Sequence, residues 1–445
     1  MVIFLNKFIG KGGLRIPKLL KICVTFLWAV SFCTVSSIAL AAWPNGAPED
    51  DTVLGLPTGR QIDCNGELIN PDVLNPLEGG YTFELTPKTS SESVYVSLPA
   101  AVLAGVSLEN PNFNIGIEAP FGLYMFSAAI ADSLEELDKN DLRQASFRIT
   151  LTDKSADAPL LEFFSKSLPN AKAISAFVEF KLELIDSESK DILMPIGDLV
   201  GPMEQLLPVS GSEFPLYYGV FRYDESQKGF AYAPHLARYF DDDPYASVAL
   251  TGSGIYVAAE NSLSFSDVPS TAWYAGTVKK AAAKLLVQGV GDNKYQPERA
   301  VTRAEFTQMI ANALLLPEAS VAPYADVSAG QWYYSAIARA YDMGLLEKFK
   351  DKNFYPNQPI TREEMAVILG AILRLCGMTT NASLGHFTDS ADMNSDYRLD
   401  IALVFDTGLM QGTSYDKFDP KGVTTRAQAA TVQIRLLETL NMIDK

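Results

Sequence analysis

"VTRAEF" at residues 301–306 returns as "ITREEM" at 360–365 and as "TTRAQA" at 424–429, each time ahead of an apolar helical run. In every copy a Thr precedes a Glu or Gln by three positions. That spacing is a capping box: the Thr hydroxyl accepts from the amide three residues on, and the side chain there reaches back to the Thr amide. Thr302 with Glu305, Thr361 with Glu364, and Thr425 with Gln428 are therefore read as helix caps, each contributing about 1 kcal/mol. The Arg that follows each Thr has no such explanation. Arg303, Arg362 and Arg426 stand at the first helical position, where a cation meets the positive end of the helix dipole at a cost of about 0.3 kcal/mol or more. They ask for a negative partner. Two partners fit: an acid of a neighbouring copy, with Asp267, Asp326 and Asp389 available, or an anionic ligand. A helix N-terminus, a guanidinium and a nearby aromatic together suit a carboxylate-bearing sugar.

The repeat extends well beyond this motif. Phe265, Tyr324 and Phe387 each precede an Asp by two residues, and a first helix follows. Its apolar stripe is Val278, Ala281, Ala282, Leu285 and Leu286 in the first copy, and the corresponding stripes fall 59 and then a further 64 residues on. This is the periodicity of a helix with one buried face. An aromatic-x-Pro signature comes next, at Tyr295, Phe354 and Phe418, with Pro five residues before Thr in all three copies.

The pattern of Phe-x-Asp, Trp, Gly sixteen residues later, aromatic-x-Pro and Thr-Arg-x-Glu resembles the S-layer homology (SLH) domain of Gram-positive surface proteins. The resemblance covers residues 263–317, 322–378 and 385–441. It implies a three-pronged spindle around a central three-helix bundle, with grooves that hold an acidic, pyruvylated secondary cell wall polymer. It also implies that Arg303, Arg362 and Arg426 contact the acidic ketal, that Trp273 and Trp332 line grooves, and that Gly289 and Gly412 belong to the same sites. An indole just before a helix is also a common core staple, so a packing role for the two Trp residues stands beside this one. Lys348 replaces the expected Gly in copy two; in copy three Asp396 replaces Trp and Gln428 replaces Glu. Compared copy by copy, the third is expected to contribute least to binding, and Arg426 to matter less than Arg303 or Arg362.

Lys7, Lys11, Arg15, Lys18 and Lys21 precede a charge-free run from Ile22 to Leu40 that ends in "ALA" at 39–41, the pattern of a cleaved signal peptide. A retained membrane anchor is the other reading of a run of that length. Cleavage would take the formal charge from -17 to -22, since five positive and no acidic residues leave. So acidic a chain, with no basic stripe, excludes a nucleic-acid partner. After cleavage Cys64 and Cys376 remain, in different segments, and no structural disulfide or zinc site is expected.

Residues 42–80 are rich in Pro, Gly and Asn and read as an extended lead-in with a hairpin. From 81 to 262 the period is two. Val94, Val96 and Leu98 share a face, as do Phe147, Ile149 and Leu151, and Val178, Phe180, Leu182 and Leu184. Hairpins are expected at 115–126 and 218–232, and helices at 126–141 and 159–168. The fold class is thus α+β: a β-rich antiparallel module followed by the helical repeats. Chemistry is sparse in the module. His235 reads as a hydrogen-bonded structural residue, and "FDDDPY" at 240–245 as a solvated turn rather than a calcium site. No catalytic residue, metal or cofactor is assigned. The expected protein is a secreted, non-enzymatic surface protein that binds wall polymer and displays a β-rich module whose partner the sequence does not name, other surface proteins being one candidate. The alternatives are a wall-anchored glycan-active enzyme and an S-layer lattice subunit.

Overall fold

The computed structural model describes residues 61–77, 79–87, 93–134, 144–194, 203–240, 242–248 and 253–445. The expected signal peptide lies outside the described residues. Among these residues no helix is long and apolar enough to cross a membrane.

Two sheets form the N-terminal part. The larger runs, in spatial order, Gly229–Ala233, Tyr218–Asp224, Gly254–Asn261, Val178–Asp186, Ala145–Asp153, Val94–Pro99, Ile62–Cys64 and Glu67–Ile69. The smaller runs His235–Phe240, Asp243–Val248, Met203–Pro208, Gly122–Ser127, Asn114–Ala119 and Gly80–Glu84, antiparallel except for the last pair. Alternation decides which face is inward. Val94, Val96, Leu98, Phe147, Ile149, Leu151, Val178, Phe180, Leu182 and Leu184 are all fully buried, as the period of two requires. They share one core with Ile115, Ile117, Tyr124 and Leu207 of the smaller sheet, so the two sheets pack face to face.

The hairpin Ile62–Ile69 pairs with Val94–Pro99 and buries Cys64, so the sheet starts inside the stretch expected as lead-in. Both longer hairpins form as expected, at Asn114–Ser127 and Tyr218–Ala233. Helix α1, Ala100–Glu109, was not foreseen. Helix α2, Ala158–Ser167, was; Asp157 caps it, and Phe164 packs on Phe177 and Phe230 across the outer face of the larger sheet. The helix expected at 126–141 is a 3-10 turn over Ala128–Leu134, and its remainder lies outside the described residues. Phe240 and Asp243 pair across the acidic turn, where Asp242 is exposed.

The C-terminal part is helical. Its first helices are α3 (Ala275–Ala283), α5 (Tyr334–Asp342) and α7 (Arg398–Asp406), one per copy. Its second helices are α4 (Arg303–Ala313), α6 (Arg362–Leu375) and α8 (Arg426–Thr439). Each second helix packs on the first helix of the next copy: α4 on α5, α6 on α7, and α8 back on α3. The ring is closed at the axis by backbone. Val301 donates to the Thr424 carbonyl (2.9 Å), Thr424 to Ile360 (3.1 Å), and Ile360 to Val301 (2.9 Å). No copy is therefore a complete folding unit, and one apolar core runs through all three.

The two parts meet on a polar junction. Lys284, at the end of α3, donates to the Tyr218 carbonyl (3.0 Å) and contacts His235 Nε2 (2.7 Å). Asp444 accepts from the Tyr218 hydroxyl and the Ala237 amide. His235 is buried with Nδ1 against the Ala233 carbonyl, the structural role expected of it.

Candidate functional site: the grooves between the copies

All three capping boxes form. The Thr302, Thr361 and Thr425 hydroxyls accept from the amides of Glu305, Glu364 and Gln428 at 3.2, 3.3 and 3.3 Å. Those three side chains return to the Thr amides at 2.9, 3.0 and 3.0 Å. The next two amides of each helix are also taken. Arg303 and Ala304 donate to the carbonyls of Gln358 and Pro356, Arg362 and Glu363 to those of Gly422 and Pro420, and Arg426 and Ala427 to those of Arg299 and Pro297. Every orphan donor of the helix start is thus satisfied within the protein. The helix N-termini offer an anion their dipole but no vacant amide. Any anion here must be held by side chains.

The three arginines reach across the copy boundary in the same way. Arg362 donates to the Phe418 and Gln411 carbonyls (2.8 and 2.6 Å), and Arg426 to those of Tyr295 and Gln288 (both 2.9 Å). Each guanidinium also lies over the ring of that Phe or Tyr. Arg303 donates to the Phe354 carbonyl (2.9 Å) but is gripped in addition by both oxygens of Glu364. The charge balance therefore differs among the copies. Arg303 is neutralised. Arg362 has no ion-paired carboxylate among the described residues, and the residue of the next copy that corresponds to Glu364 is the neutral Gln428. Arg426 senses Glu305, but that carboxylate is held by Arg299 at 2.6 Å. Burial pushes the Arg362 guanidinium below its ordinary value, with Asp419 and Asp389 acting in opposition.

The acids considered as partners for the arginines do something else. Asp267 accepts from the amides of Tyr295 and Gln296, Asp326 from Phe354 and Tyr355, and Asp389 from Phe418 and Asp419. The central residue of each aromatic-x-Pro signature is held left-handed, with φ of 57°, 56° and 59° at Gln296, Tyr355 and Asp419. A non-glycine residue there is strained by about 1 kcal/mol or more, and the carboxylate clamp offsets it. This turn aims the carbonyls of Tyr295, Phe354 and Phe418 at the arginines. The partner acid of Arg303 is instead Glu364, a capping residue of the following copy.

Trp273 and Trp332 are 66% and 58% exposed, edge-on to Tyr274 and Tyr333. They are not core staples. Gly289 and Gly412 have a steric reason to be glycine. A Cβ would lie 2.9 Å from the Lys294 carbonyl oxygen at Gly289, and 2.5 Å from that of Ser414 at Gly412. Lys348, which stands where copies one and three have glycine, sends its ammonium to Asp400 (2.6 Å) and to the carbonyl of Asp396. Arg374 completes an ion triad on the fully buried Asp400. Sequence reasoning missed this triad; an Asp at a position where the other copies have Thr277 and Ala336 was its one signal.

The geometry is that of an interlocked three-copy bundle with an arginine, an aromatic turn and a pre-helix segment at each copy boundary. The S-layer homology domain family matches this chain at residues 264–307, 323–366 and 387–430. The C-terminal part is three S-layer homology domains, which set the protein at the cell surface. Among its relatives are the exoglucanase XynX of Acetivibrio thermocellus, 34% identical over 45% of this chain and 18% of that protein, and the amylopullulanase of Thermoanaerobacterium thermosulfurigenes, 31% identical over 54% and 13%. The surface-layer 125 kDa protein of Lysinibacillus sphaericus is 28% identical over 45% of this chain and 17% of its own length. The chain thus spans less than a fifth of each of these relatives.

Proposed function

We propose that the bundle anchors this chain non-covalently to an acidic, pyruvylated secondary cell wall polymer, and that the β-rich module is displayed outward without catalysis of its own. The guanidinium meets the ketal carboxylate, and an exposed indole covers the sugar face. The observation that carries this reading is the electrostatic state of Arg362 and Arg426: each is held by carbonyls and stacked on a ring, with no ion-paired carboxylate of its own among the described residues. A charge-assisted bond at such a site contributes about 1.5–3 kcal/mol, enough to distinguish a charged sugar from a neutral one by tenfold or more. Soluble pyruvylated disaccharide should therefore displace the protein from purified walls, and the same disaccharide without its ketal should not.

The relatives named for glycan-degrading activities favour a second reading, in which the β-rich module acts on a wall glycan. Release of reducing sugar from walls by the full chain would select it.

A further inference from the structure

The departures of copies two and three from the repeat meet in one groove. Lys348 belongs to copy two, Asp396 to copy three and Arg303 to copy one. Yet the Lys348 ammonium lies on the Asp396 carbonyl, and Tyr397, beside Asp396, is within electrostatic reach of Glu364, Glu363 and Arg303. Tyr274 and Tyr333 precede α3 and α5 as Tyr397 precedes α7. By the threefold relation, the segment of Trp273 therefore faces Arg362, and that of Trp332 faces Arg426.

Resting on the anchoring reading above, we infer that this chain offers two sugar grooves rather than three. One is built on Arg362, Gly412 and Trp273, the other on Arg426, Gly289 and Trp332. The Arg303 groove is closed by its own side chains. There the cation is cancelled by Glu364, the indole is replaced by Asp396, and the floor glycine by Lys348, whose charge is in turn consumed by Asp400. An anionic sugar would find the arginine already paired, no exposed indole, and a lysine side chain where the other grooves have glycine. The weak member is thus a groove shared by all three copies, and Arg426 belongs to a strong one. The closed groove keeps a purpose: its ion pairs tie copy two to copies one and three.

The test is calorimetric titration of a pyruvylated amino-sugar disaccharide into the full chain. Two sites per chain are expected. Trp273→Ala and Trp332→Ala, which alter exposed side chains and spare the fold, should each leave one site, and together should abolish binding. Arg362→Ala and Arg426→Ala should weaken their own groove at least tenfold, whereas Arg303→Gln and Asp396→Ala should keep both sites. Three sites in the wild type, or a site lost with Arg303→Gln while melting is unchanged, overturns the two-groove inference and leaves the anchoring reading standing. Absence of binding in the wild type overturns both.

Discussion

Arg303 of the first copy is held by Glu364 of the second, and the same carboxylate caps the second copy's own helix through the Thr361 amide. One side chain therefore joins a local cap to a contact between copies. With Arg303 16% and Glu364 12% exposed, the pair is well shielded from solvent.

Loss of Glu364 should accordingly cost more than loss of an ordinary cap. Glu364→Ala is expected to destabilise the full chain by about 3 kcal/mol, because it strands a shielded guanidinium as well as an amide. Gln428→Ala, which removes a cap alone, should cost about 1 kcal/mol. Denaturant titration of both variants checks the difference, and equal losses would mean that the ion pair adds nothing to the cap.

Gln433 is buried in α8, where its amide donates to the Met309 carbonyl (2.9 Å) while its own carbonyl oxygen has no partner. Gln433→Leu should be neutral or stabilising by about 1 kcal/mol, since it removes an unsatisfied buried oxygen. A melting temperature several degrees lower would show that the bond to Met309 outweighs it.

The junction between the two parts should weaken in acid. Burial brings the Lys284 ammonium down to about 7, with Asp444 and Glu438 opposing and Lys280 assisting, and burial holds His235 well below its ordinary value. Between pH 7 and the unfolded Lys value of about 10.5 the unfolded chain binds the extra proton, so stability rises across that window. It falls again below about pH 6.5, where the unfolded His charges and the folded one does not. Thermal melts from pH 5 to 10 should follow this slope, and Lys284→Met should flatten its upper part. An unchanged slope in that variant would assign it to other groups.

Truncation before Phe387 should abolish cooperative folding of the remaining two copies. It removes α8 from α3, the Thr424 link of the axial ring, and the bond between Arg426 and the Tyr295 carbonyl. Loss of a single sharp transition in calorimetry is the expected result; a fragment that melts as sharply as the whole chain would contradict the interlocked core.

Local physics was legible in the sequence. The capping boxes, the helical stripes and the alternating strands each depend on neighbours a few residues apart, and the caps and strands appear where the spacing puts them. The first helices, however, end at Ala283, Asp342 and Asp406, so the last two positions of each expected stripe, from Leu285, Gly344 and Gly408 on, lie beyond the helix. The partners of the arginines were not legible, because carbonyls of a following copy carry no side-chain signature. Reading the copies one by one could not show that Lys348 and Asp396 meet: they lie 48 residues apart, and only the ring closure brings them together. Helix α1 escaped because "AAVLAGVSLE" is apolar up to Ser107 and follows a strand without a side-chain cap, so no period separates it from that strand. The junction at Lys284 was hidden for the same reason as the grooves: its members come from four distant segments.

The most direct measurement is sedimentation of the full chain with purified walls before and after mild removal of the pyruvyl ketal. Binding should be strong on the native polymer and at least tenfold weaker once the ketal is gone, with Arg362→Ala and Arg426→Ala together reproducing that loss on native walls. Undiminished sedimentation with ketal-free walls would contradict anchoring through an acidic sugar at the copy boundaries.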